Sequence, residues 1–79
     1  MRSVLDLQPG ITYTVLREIC DYYDNIFQVG EKLTFTERHY LPYDGGHTLV
    51  FGERRMYLQK DMHAEILDTL GDFLAPETE

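Results

Sequence analysis

Two reversal signals stand close together in the middle of the chain, Asp44-Gly45-Gly46 and Gly52-Glu53, with only His47 to Phe51 between them. That spacing leaves room for one short strand and no helix, so the chain must fold back on itself twice in quick succession. Glycine supplies the positive φ of a tight reversal without strain, and Gly52 stands where a type II′ turn asks for it. Pro42 stops the ladder before the first reversal. A hairpin over residues 39–51 follows, and "RRMYLQ" supplies the next strand.

Upstream, Ile11, Tyr13, Val15 and Ile19 share one parity while Thr12, Thr14 and Glu18 take the other, the period of a half-buried strand that Arg17 interrupts. "DYYDNIFQVG" reads as a loop. After Gly30, Leu33, Phe35 and Leu41 share a face opposite Lys32, Thr34 and Arg38, and a bend is expected near Glu37. Downstream, Asp61 suits a helix N-cap and Glu65 the positive end of the dipole. Met62, Ile66, Leu67, Leu70, Phe73 and Leu74 recur at helical spacing, which predicts a helix over about 62–74, with Pro76 ending it and 75–79 as a tail.

The expected fold class is therefore α+β: one small domain over 1–79, with its strands within about 11–60. Short strands joined by tight turns must curl or be covered to hide their edges. The expected shape is a curled antiparallel sheet, or a partly open Src-homology-3-like barrel, of about four strands with one C-terminal amphipathic helix.

A chain of 79 residues buries only a modest core, and nothing in it serves as a staple. Cys20 is the one cysteine, so no intrachain disulfide forms, which suits a reducing compartment. "MRSVLDLQPG" lacks a signal-like apolar run and no stretch is long enough to span a membrane, so a soluble cytoplasmic protein is expected. Seven basic against fourteen acidic residues give a net charge of −7. Such a surface repels phosphate backbones and anionic lipid, so nucleic acid and membranes are excluded as partners and a basic protein is favoured.

Asp44 and His47 flank the Gly-Gly turn and could form an acid/base pair, with His39 as a further member of a small hydrolase or metal site. A turn reading competes, because Asp initiates such reversals through its own backbone. Neither His39, His47 and His63 nor any group with Cys20 has zinc-ligand spacing, "DYYDNIFQVGE" lacks the ligand pattern of a calcium loop, and "DGGHT" has no phosphate-loop lysine. No catalytic residue, metal or cofactor is assigned. Tyrosines beside carboxylates are the stronger signal: Tyr22, Tyr23, Asp24 and Tyr43 form the candidate protein-binding surface of a non-enzymatic module. An open sheet edge also allows a homodimer or structural subunit.

"PGITYTV", "DYYDN", "GEKLTF", "LPYDGGHTLVF", "YLQKD" and the terminal "ILDTLGDFL" together resemble a family of small uncharacterised bacterial domains of roughly this length. "LPYDGGHT" and "GEKLTF" are the most specific pieces. The resemblance implies a stand-alone small domain and carries no activity or site residues with it.

Overall fold

Alternation of apolar and polar residues sets the strands, and glycines set where they reverse. The computed structural model describes residues 6–41 and 45–77. Among them the strands are β1 (Thr12–Val15), β2 (Ile19–Cys20), β3 (Ile26–Phe27), β4 (Lys32–Thr34), β5 (Glu37–Leu41), β6 (Gly46–Phe51), β7 (Arg54–Gln59) and β8 (Leu74–Pro76). One short helix, α1 (Ala64–Asp68), and a 3-10 turn at Leu70–Asp72 precede β8. The strands form three antiparallel sheets, ordered β4-β1-β8, β2-β3 and β5-β6-β7.

Each sheet contributes alternate residues to a common core, the third through β6 and β7 while Glu37 to Tyr40 of β5 stay exposed. Tyr13, Val15, Leu33 and Leu74 come from the first sheet, Ile19 and Phe27 from the second, and Leu49, Phe51, Met56 and Leu58 from the third. Leu67, Leu70 and Phe73 fill the remaining side, with Ile66 packed against them. Gly52 opens the β6–β7 turn with φ at 62°, as the sequence pattern required. Of the first reversal, Gly45 has φ at 63° and Gly46 already pairs with Leu41, while Asp44 lies outside the described residues.

The fold class is a correction. In place of an α+β domain with one curled sheet of about four strands, or a Src-homology-3-like barrel, closed by a helix over 62–74, the described residues are mainly β, with three small sheets and five residues of α-helix. Thr69 is the reason the helix stops. Its backbone turns away at φ −127°, ψ 41°, and both its N–H and its hydroxyl bond the Glu65 carbonyl. A β-branched residue that back-bonds in this way competes with helix continuation, and Gly71 follows within the same turn. The start is shortened too: His63, not Asp61, holds the N-cap position, and its Nδ1 accepts from the Gln59 N–H. Met62, expected on the buried face, is 70% exposed.

The chain then gains more by pairing than by continuing as helix. Leu74, Ala75 and Pro76 pair with Val15, Thr14 and Tyr13, so residues read as the start of a tail complete the first sheet. The bend expected near Glu37 is a change of sheet. Phe35 donates its N–H to Ile11 O beside β1, while the next residue, Thr36, donates to Val50 O on β6. The chain thus passes from the first sheet to the third between two consecutive residues.

Candidate functional site

The stretch Asp21–Asn25 links β2 to β3, and its conformation follows from one side chain. Asp21 is 3% exposed, and its carboxylate accepts from the N–H of Tyr23 at 2.9 Å and of Asn25 at 2.8 Å, and from Asn25 Nδ2 at 3.1 Å. A short acceptor that bonds the backbone two residues on is what makes aspartate a turn former. Asp24 completes the reversal in the left-handed region, φ 63°, which Asp tolerates better than most residues. Asp21 N–H closes the loop by donating to Asn25 O.

The same carboxylate ties the loop to a different sheet. Tyr57 on β7 donates its N–H to Asp21 Oδ2 at 3.1 Å, and Tyr22 N–H donates to Tyr57 O at 2.8 Å. These bonds bring three tyrosine rings together. Tyr22 and Tyr23 meet nearly perpendicular at 5.2 Å, and Tyr57 lies 5.5 Å from the first and 5.3 Å from the second. Such separations are those of rings in edge or tilted contact. Tyr22 remains 44% exposed and Tyr23 66% exposed.

Tyr57 was not singled out with the other two, although the sequence carries a signal for it. It lies between Met56 and Leu58 in an alternating strand and therefore on the face away from the core. Gly46 makes room for it: any side chain at Gly46 would collide with the Tyr57 hydroxyl. Of the nominated surface, the structure brings together Tyr22, Tyr23 and Asp24. Tyr43 lies outside the described residues.

The two described histidines of the expected acid/base or metal site, His39 and His47, do not converge. His39 pairs with Thr48, and Tyr40 pairs with His47, so His39 and His47 project from opposite faces of the third sheet. His39 contacts Glu37 at 3.3 Å, whereas His47 stacks on Tyr40 with ring centroids 4.7 Å apart. Burial, then the charges of Arg38 and Lys60, hold the His47 imidazole below its ordinary value of 6.5. Asp44 is outside the described residues, and among those described no three His, Cys, Asp or Glu side chains gather as a metal site requires.

Cys20 is an exposed free thiol. Desolvation against the loop, then the carboxylates of Asp24, Asp21 and Glu18, push it up, the opposite of what activates a nucleophile. A shallow groove of about 380 Å³ is lined by Leu7, Pro9, Phe35, Thr36, Glu37 and Arg38, none of them a nominated residue. No helix among the described residues is long and apolar enough to cross a membrane.

Residues 6–78 match the model of a family described as a domain of unknown function, DUF3601. Among solved structures, an integron cassette protein from the mobile metagenome of Vibrio cholerae is similar, at 25% identity and a TM-score of 0.85, over 90% of this chain and 88% of that one. No curated protein matches the sequence.

Proposed function

The chain belongs to the DUF3601 family, and from that premise we propose that it is a non-enzymatic cytoplasmic module that binds another protein through Tyr22, Tyr23 and Asp24. One observation carries the reading: Tyr22 and Tyr23 are substantially exposed, yet their loop is held by hydrogen bonds to a buried carboxylate and by ring contacts to a neighbouring sheet. Tyrosine offers large contact area at small entropic cost, and a surface already ordered in the free protein avoids much of the ordering cost of association. The net charge of −7 favours a basic partner and speeds its encounter more than it tightens the complex. A free exposed thiol suits a reducing compartment.

Affinity capture from a lysate of the source organism tests the proposal. Wild type should retain a protein that the folded triple variant Tyr22→Ser, Tyr23→Ser, Asp24→Asn does not. Identical captured proteins from both would overturn the surface assignment.

A further inference from the structure

Resting on that reading, we infer that the group this surface recognises is an arginine side chain, presented by an extended segment of the partner protein and stacked on Tyr23 with Asp24 as its counter-ion. Three features choose this occupant.

The first is the closeness of the rings. Cages that enclose a round ammonium hold their aromatic walls apart to admit it, whereas these three rings touch one another at 5.2, 5.3 and 5.5 Å. The space between them is already filled by tyrosine. What remains for a ligand is the open surface of Tyr23, together with part of Tyr22. A planar guanidinium lies flat on such a surface and keeps its N–H groups free at the rim, which an ammonium does not.

Charge is the second feature. Asp24 follows Tyr23 in the chain and is exposed, and both Asp24 and Glu18 lie close enough to the β2–β3 turn to raise the Cys20 thiol. Asp21 is different, since its oxygens are occupied by N–H donors. Asp24 is therefore the loop carboxylate left to meet an incoming cation. Among the described residues its side chain has only a long 3.9 Å contact from the Cys20 thiol, and that weak donor is easily exchanged for a guanidinium N–H.

Third, the molecule already solves the same recognition problem internally. Arg54 lies over the Phe27 ring at 4.1 Å while pairing with Glu31 and donating to Ile26 O, and Arg17 lies over Phe73 at 4.6 Å. The Arg54 arrangement combines a ring, a carboxylate and a carbonyl within one turn of structure. The Tyr23 loop offers the ring and the carboxylate, with the guanidinium missing.

The experiment titrates three short extended peptides, identical except for a central arginine, citrulline or lysine, into the labelled full chain, with ring and amide resonances as the readout. The arginine peptide should shift Tyr22, Tyr23 and Asp24 saturably, and citrulline, which keeps the shape without the charge, should bind about tenfold more weakly. Lysine should also bind more weakly. Tyr23→Ala should abolish the saturable shift while the Tyr57 amide stays protected, and Asp24→Asn should weaken binding and flatten its salt dependence. Equal binding of citrulline would mean apolar stacking alone and would overturn the inference, as would equal binding of lysine or the absence of any saturable shift. Failure here with a surface-dependent partner still captured removes arginine and leaves the surface standing; Tyr23-dependent arginine binding with no surface-dependent capture removes the protein-binding reading instead.

Discussion

The β6–β7 hairpin and the β2–β3 turn both reverse the chain, and they are held by opposite means. β6 and β7 pair continuously from Gly46 with Gln59 to Phe51 with Arg54, around a glycine-led turn. β2 and β3 share only two pairs, Ile19 with Phe27 and Cys20 with Ile26. There the backbone ladder is replaced by one carboxylate that receives N–H groups from its own loop and from another sheet. A ladder spreads its stability over many residues, while the turn concentrates it in Asp21. The region that displays the tyrosines is thus the one that leans most on a single side chain, beside its few backbone bonds.

Asp21→Ala should give the largest effect, because it removes the one carboxylate that accepts from the part-buried Tyr23, Asn25 and Tyr57 N–H groups; hydrogen bonds to a charged group contribute about 1.5–3 kcal/mol each, and we expect a loss of about 3 kcal/mol. Chemical denaturation measures the loss, and amide exchange should show the Tyr57 N–H losing protection. A change no larger than that of an exposed substitution would break the comparison.

Gly46→Val probes the ladder side where a glycine faces Tyr57 and should cost about 1–3 kcal/mol by overpacking against it. Adding Tyr57→Ala should recover part of that loss, which a double-mutant cycle reads as coupling between the two positions. Independent effects would mean that the ladder absorbs the extra side chain elsewhere.

A smaller effect is expected from pH at the margin of the same sheet. Because folding holds His47 below 6.5, the unfolded chain takes up the proton more readily. The contribution of His47 is therefore present above about pH 6.5 and is lost as pH falls through the folded value. Wild type should lose more stability than His47→Gln between pH 7 and pH 5. Parallel pH profiles would show that the imidazole is not held neutral by the fold.

The same contrast explains what could be read in the sequence. Period-two burial of Tyr13, Val15, Leu49, Phe51, Met56 and Leu58 and the Gly52 turn were legible, because a ladder writes its pattern into alternation. The helical repeat marked Leu67, Leu70, Phe73 and Leu74 as buried, but only Ile66 and Leu67 of it lie in α-helix, while Leu70 sits in the 3-10 turn and Leu74 in β8. Whether Leu74 continues a helix or pairs with Val15 depends on a strand sixty residues away in the chain, roughly, which no local window contains. His39 and His47 could be placed on neighbouring strands, but their faces depend on register, and a one-residue change in the loop exchanges them. Tyr22, Tyr23 and Asp24 were found as residue types that suit an interface. Asp21 carried no signal beyond its place in a loop, because a carboxylate standing in for a strand has no periodicity.

The contact between the β2–β3 turn and β7 also bears on how the protein behaves at high concentration. β7 ends the third sheet, and a terminal strand with open backbone groups is a template on which other chains polymerise. At Tyr57 both the N–H and the carbonyl are already taken, by the Asp21 carboxylate and the Tyr22 amide. The turn is thus a plug as well as a display. Variants that loosen it are expected to reveal themselves first as insoluble protein during expression, before any defect in partner binding can be measured, so selection on solubility alone would keep Asp21 where it is.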